Sequence, residues 1–258
     1  MKTAFCFLTR GDVHHPSIWA KFFASAPQSS YTVYAHPKEA SLVRSDLLRD
    51  RIIENCVPTI HGHVSIVAAV LNLFHAAFHD DSENEHFILL AENAIPIVPF
   101  ETVCRELLSF QNRSLLYFHI PDIGSEHHQR LRHVRNRELF EKQFFLHENW
   151  IVLCRRHVAQ LIERHYLPLF EEMYAADEHY WMNVMVHILG VPLQEFANRR
   201  TTFANWAEKE IATHPRPNGP PAVTLHPKTY RTLNDDDVAE ARRHQCWFLR
   251  KISPDCNC

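Results

Sequence analysis

Two stretches far apart in the chain carry residue types that could do acid–base and electrostatic chemistry together. In "YAADEHYWMNVM", Asp177 and Glu178 open a helical pattern. One carboxylate serves there as an N-cap or first-turn charge against the helix dipole. The other is then free to point outward beside Tyr180 and Trp181, in surroundings that suit a tuned general base. In "CWFLRKISPDC" (246–256), Arg250 and Lys251 follow four largely apolar residues. The pair is either a solvated tip or a place where a polyanion is neutralised, arginine with a planar fork and lysine with a compact point charge. Between these stretches, "NRRTTFANW" (198–206) offers two arginines, two threonines and a tryptophan. That set suits a sugar, with a ring against C–H faces and donors on hydroxyls. It equally suits an edge strand with Trp206 in the core.

Other chemistries are less well supplied. His75 and His79, in "LFHAAFHDD", lie four apart and would share one helical face, as zinc sites require. No motif places a third ligand, and a helix end with His beside Asp80 and Asp81 is also an ordinary solvated end. His61-x-His63 has the same standing. The seven cysteines are odd in number, with Cys6 and Cys154 inside apolar runs, which predicts reduced, buried thiols. Cys256-x-Cys258 is too short and isolated for a zinc site. Glycine is scarce, and neither GxGxxG nor GxxxxGK[ST] occurs, so no glycine-rich phosphate loop is expected. A net charge of −3 excludes a global basic field that would attract nucleic acid or anionic lipid. Any polyanion must therefore meet local cations. The apolar run before Arg10 is short and reads as a first strand rather than a signal peptide. No stretch approaches the ~20 apolar residues of a membrane span. The expectation is a soluble, cytoplasmic protein of a reducing compartment.

The elements that must position these residues follow from periodicity. At 258 residues and 46% hydrophobic, the chain can bury the core of one large α/β domain. Apolar or β-branched runs at 3–9, 31–36, 86–92, 114–120 and 149–154 predict strands. Helices are expected at "HPSIWAKFFASA", 64–80 and "ETVCRELLSF". Two long ones are expected in "RRHVAQLIERHYLPLFEEMY" and "DEHYWMNVMVHIL", and an acidic one over 234–244. Two prolines in "NAIPIVPF" argue against regular structure there. Residues 121–148 are polar, lack a sustained period and read as a surface excursion; 211–230 read as an extended loop. Strand and helix alternate through the first 120 residues, predicting a mostly parallel sheet with helices on both faces. Open α/β sheets bind ligands beyond the carboxyl ends of their strands, which singles out loops 9–12, 36–39 and 91–99.

Several segments in order resemble the Core-2/I-branching glycosyltransferase family (glycosyltransferase family 14), its plant-type relatives in particular. They are "FCFLTRG", "IWAKFF", "YTVYAHP", "SIVAAVLNLFHAAFHDDSENEHFILLAENAIPIVPFETV", "ENWIVLCRRHV", "DEHYWMNVM", "NRRTTFANW", "HPRP" and "CWFLRKISP". The resemblance spans nearly the whole chain. It implies a GT-A-like fold in a single domain over 1–258, with a nucleotide-sugar-binding half (1–120) and an acceptor and catalytic half (121–258). It also implies inverting transfer from a UDP-sugar, most readily of N-acetylglucosamine, to a hydroxyl of a glycan acceptor. No cofactor and no divalent metal are expected, because basic side chains take the metal's place at the diphosphate.

By this resemblance Glu178 falls at the catalytic base, Lys251 and Arg216 fall at the diphosphate, and Arg250 either joins them or turns to a surface acid. Thr9, Arg10, Gly11, His36 and Ser65 are the expected nucleotide contacts. Trp206, Arg199, Glu92 and Asn93 are the expected acceptor contacts. After the strand "HFILLAENAIP", only Glu92 and Asn93 stand where a metal-dependent relative would carry paired carboxylates. The chain departs from the pattern at His36-Pro37-Lys38, where animal members carry His-x-Asp, and at His61-Gly62, where plant relatives show Trp-Gly. The animal enzymes' anchor, stem and cysteine framework have no counterpart, which suggests a minimal soluble catalytic domain. Lys38 keeps a xylosyl donor open. A catalytically silent glycan-binding module and a histidine-rich metalloenzyme are the remaining alternatives.

Overall fold

The computed structural model describes residues 2–162, 166–214 and 222–258. Its centre is a six-stranded sheet in the order β2 (Tyr31–Pro37), β1 (Lys2–Thr9), β3 (Asn84–Ala91), β8 (Val152–Cys154), β5 (Ser114–Leu116), β9 (Phe196–Asn198). Only β8 runs against the others. The carboxyl ends of β1, β2, β3, β5 and β9 therefore share one edge, and the chain enters β8 from that same edge.

The unbroken apolar runs of β1 and β3 reflect burial on both faces. Ala4, Cys6 and Leu89 face a layer built on α2 (Ser65–Asp80), with Val67, Val70 and Phe74, and on α5 (Arg155–Ile162). Phe5, Phe7 and Leu90 face the opposite layer, made by Trp19, Phe22 and Phe23 of α1 (Pro16–Ala24) and by Val103 and Leu107 of α3 (Phe100–Phe110). This is the mixed, mostly parallel, helix-flanked sheet that the alternation of elements predicts, and it fits the GT-A-like fold that the resemblance implies.

A second, three-stranded sheet, β10 (Thr202–Ala204), β14 (Phe248–Arg250) and β4 (Ile95–Pro96), closes over the carboxyl edge. The "NAIPIVPF" segment is thus not wholly irregular, since Ile95 and Pro96 pair with Leu249 and Phe248. Further on, β13 (Tyr230–Thr232) pairs with β15 (Ile252–Asn257), and α7 (Asp235–Arg243) starts in a capping box between Asn234 and Asp237. Where a loop was expected over 211–230, part of the run belongs to an antiparallel hairpin, β11 (Glu210–His214) with β12 (Ala222–His226).

Further expectations are corrected. Residues 121–148 hold α4 (Glu126–Gln129) and β7 (Leu146–His147), which pairs with β6 (Phe118–His119) just ahead of the segment. They also bury Val134, Phe140, Phe144 and Phe145 in the main core, so this segment is more than a surface excursion. The first of the two long helices stops at Ile162 as α5, and Leu167–Phe170, with Pro168 inside it, is only a 3-10 turn. The second helix is likewise interrupted. Ala176–Glu178 is a 3-10 turn preceded by left-handed Ala175, α6 covers Tyr180–Asn183, and a π turn follows at Val184–Ile188. The N-cap role expected of Asp177 falls to Ala175, with no side-chain cap, while both acids keep their first-turn positions.

Candidate active site

The end of β14 is fastened to the exit of β3. The Ile252 N–H donates to the Asn93 carbonyl (2.8 Å), and the Ile97 N–H donates to the Trp247 carbonyl (2.9 Å). From the loop after β1, the His14 and His15 rings donate to the carbonyls of Ile252 and Ser253 (2.8 and 2.7 Å). These tethers hold Arg250 and Lys251 over the carboxyl edge. The Arg250 guanidinium lies 4.5 Å over the Trp150 ring, just ahead of β8. Its Nε is buried without a hydrogen-bond partner. Burial pulls its pKa down to about 10, against which the charges of Glu148 and Glu92 act. Glu148 is already occupied, accepting from Arg200 Nε at 2.7 Å, while Arg200 stacks 4.2 Å over Tyr117. Lys251 Nζ donates to His226 Nδ1 (2.8 Å). Burial first, and Arg250 second, bring the Lys251 pKa down to about 8. A guanidinium and an ammonium, both paying for desolvation without a carboxylate hydrogen bond among the described residues, make a site prepared for an anion.

An acidic pole lies on the same side. Arg130 Nη1 donates to Glu178 Oε2 (2.7 Å); the arginine side chain is 11% exposed and that of Glu178 39%, so the carboxylate stays reachable. Arg130 also sits 5.4 Å over the Tyr174 ring. Asp177 beside it is pushed up to about 7, by burial and then by the Glu178 charge. The turn that carries this pair is bolted to the 144–148 segment. His179 Nδ1 and Asn183 Nδ2 both donate to the Phe145 carbonyl (2.8 Å each), and the Trp181 N–H donates to His147 Nε2 (3.2 Å). Full burial holds His147 down to about 4, so it is a neutral tether. His127, whose pKa burial and Arg130 lower, presents a buried Nδ1 without a partner near the same carboxylates.

One loop connects the two poles. Gly62 has φ +71°, and a Cβ there would stand 2.3 Å from Tyr174 Cε2, so only glycine lets the loop lie flat on that ring. The Ala175 N–H donates to the Gly62 carbonyl (2.7 Å). Next to it, the His61 ring lies 6.0 Å from that of His226, the partner of Lys251. The acid turn and the cation strand thus flank a single loop at the start of α2, above the strand ends.

The residues singled out from the sequence do not all meet at this edge. Glu178, Lys251, Arg250, Glu92, Asn93, Thr9, Arg10 and Gly11 lie on or around this edge. Glu92 accepts from the Arg10 N–H and reaches toward His14 Nε2 (4.0 Å), Asn93 Oδ1 is buried without a partner, and Thr9 Oγ1 donates to the Gly11 carbonyl (2.6 Å). Ser65, at the start of α2, is engaged locally: its Oγ accepts from the Ile60 N–H (3.0 Å) and shapes the connecting loop.

Two expectations are corrected. His36 is wholly buried and its Nε2 accepts from the Val57 N–H (2.8 Å), so its ring braces the fold. Arg199 turns away to bond Glu106 and the Gln245 carbonyl, between the Phe110 and Trp247 rings. Trp206 is 44% exposed, which removes the core alternative and leaves its face open. Arg216 lies outside the described residues.

His75 and His79 do share a helical face, with rings 4.4 Å apart. Among the described residues, no group of three or more His, Cys, Asp or Glu is disposed to hold a metal ion. At the opposite edge, Ser114 Oγ, His157 and Glu195 form a hydrogen-bonded chain (2.7 and 3.0 Å), but Ser114 and His157 are fully buried and meet no substrate.

Sequence reasoning missed Arg130, His127, Trp150, Glu148 and His226. The one available signal was the apolar "FEKQFFLH" following "RLRHVR", which marks 121–148 as packed against something. The family model described as Core-2/I-Branching enzyme matches residues 3–241. No curated protein matches the chain.

Proposed function

The chain belongs to the Core-2/I-branching family and is thereby a glycosyltransferase, and we propose that it moves a sugar, most readily N-acetylglucosamine, from a UDP-sugar to a glycan hydroxyl with inversion and without a metal. One observation carries this reading: a reachable carboxylate, Glu178, and two cations without carboxylate hydrogen bonds among the described residues, Arg250 and Lys251, flank the same loop at the carboxyl edge. Direct displacement needs these two parts. A base takes the acceptor proton as the oxygen attacks the anomeric carbon, the electron pair of the breaking C–O bond leaves on the diphosphate oxygen, and fixed positive charge stabilises it there.

In this reading Arg130 aims Glu178 at the acceptor. When Glu178 takes up the proton, its ion pair with Arg130 weakens. The neighbouring Asp177, protonated up to about neutral pH, adds little competing negative charge. Lys251 and Arg250 hold the diphosphate, with Thr9, Arg10 and Gly11 at the nucleotide side and Asn93 and exposed Trp206 offered to the acceptor. The Lys38 N–H donates to the Thr9 carbonyl (2.8 Å), which puts this lysine beside the nucleotide loop and keeps a pentosyl donor as the second reading.

The experiment is UDP release from a panel of UDP-sugars in excess EDTA, with and without simple glycan acceptors. Acceptor-stimulated release that survives chelation is the expected result, and the fastest donor decides between the two sugars. Glycan binding without turnover of any donor would overturn the reading in favour of a silent module.

A further inference from the structure

We infer that His226 is a positioning residue for Lys251, a neutral acceptor that aims the ammonium at the donor diphosphate without cancelling its charge. The inference rests on the reading of Lys251 given above. A carboxylate partner would hold a lysine as firmly but would neutralise the site for a phosphate. His226 Nδ1 accepts from Nζ at 2.8 Å and leaves the full charge in place. Lysine has four rotatable side-chain bonds, and ordering it at the moment of binding weakens affinity. Here the ordering is built into the fold.

The geometry is fixed from both directions. The Tyr230 N–H donates to the Lys251 carbonyl (2.8 Å), pinning the two chains side by side four residues after His226. The base of the β11–β12 hairpin is tied by the Lys228 N–H to the Asn205 carbonyl (2.9 Å) and by the Thr229 N–H to Glu210 Oε1 (3.2 Å). Around His226 stand, among the described residues, Lys251, the His61 ring at 6.0 Å, and Glu210, its register partner on β11, whose carboxylate is shared with Thr229 and Arg231. Arg250 adds its charge at Lys251. Protonating His226 removes the acceptor and sets a like charge against the ammonium, so donor affinity falls on the acid side.

UDP binding to the full chain by calorimetry, at pH 7.5 and 5.5, tests this with wild type, Lys251→Ala, His226→Phe and His226→Asn. At pH 7.5, His226→Phe is expected to weaken UDP by about tenfold, as loss of a hydrogen bond to a charged group does. His226→Asn, which keeps an acceptor, should stay within about threefold of wild type. Acidification should weaken wild type more than His226→Asn, a difference a purely structural histidine would not produce and one that stands even if His226→Phe fails to fold. If Lys251→Ala loses affinity while His226→Phe does not, the inference falls alone. It also falls if the asparagine variant tracks wild type with pH. If Lys251→Ala binds UDP as wild type does, the reading of Lys251 falls and takes this inference with it.

Discussion

The acid turn at 177–178 and the cation strand at 250–251 are built on opposite electrostatic plans. Glu178 comes with its counter-charge, because Arg130 already donates to it from a shielded position over Tyr174. Arg250 and Lys251 have no carboxylate hydrogen bond among the described residues: one stacks on Trp150 with a buried, unpartnered Nε, the other leans on a histidine. A balanced pole has little to gain from an incoming anion, whereas an unbalanced one recovers part of its desolvation cost when an anion arrives. In the proposed reading, the donor's diphosphate goes to the cation strand and the acceptor's hydroxyl to the acid turn.

Substitution should separate the two poles. Glu178→Gln is expected to lower kcat by roughly 10²–10⁴ while UDP affinity is unchanged; equal loss of UDP binding, measured by titration, would erase the distinction between them. Lys251→Ala should lower the rate by about 10²–10³ and weaken UDP as well. Because the Lys251 pKa lies near 8, kcat/KM should decline above that pH as the ammonium loses its proton. Lys251→Arg, which stays charged, should move that limb upward.

Gly62→Ala probes the loop between the poles. The added methyl must displace Tyr174, at about 1–3 kcal/mol of stability, read as a lower Tm, with a several-fold loss of kcat as Arg130 loses its platform. Asp177→Asn should act least on the rate. The native acid keeps its proton to about 7, whereas the unfolded one releases it at about 3.9. The unfolded state thus binds fewer protons between those values, and wild-type stability falls as pH rises through them. The asparagine variant should therefore gain in Tm over wild type at pH 8 and show no gain below pH 4.

How legible each pole was follows from how local its cause is. The central strands announce themselves because burial on both faces forces continuous apolar runs such as "TAFCFL" and "HFILLA". The Arg250–Lys251 pair and Glu178 also stand out, as charges abutting aromatic segments. Their partners did not. Arg130 lies 48 positions before Glu178 and His226 lies 25 before Lys251, and nothing in local spacing encodes such pairings. The breaks in the two long helices had visible causes in part, Pro168 for one, but left-handed Ala175 depends on Gly62 and Tyr174 packed against it. His36 misled for the same reason: a histidine at a strand end reads as a ligand until the neighbouring Val57 amide claims its ring.

The electrostatic account is tested most directly by equilibrium UDP binding to protein stripped exhaustively of divalent ions, wild type beside Lys251→Ala. The account predicts that wild type still binds after stripping and that the alanine variant loses at least about tenfold in affinity. Wild-type binding that vanishes with the metal and returns with manganese, or an alanine variant that binds undiminished, would contradict it.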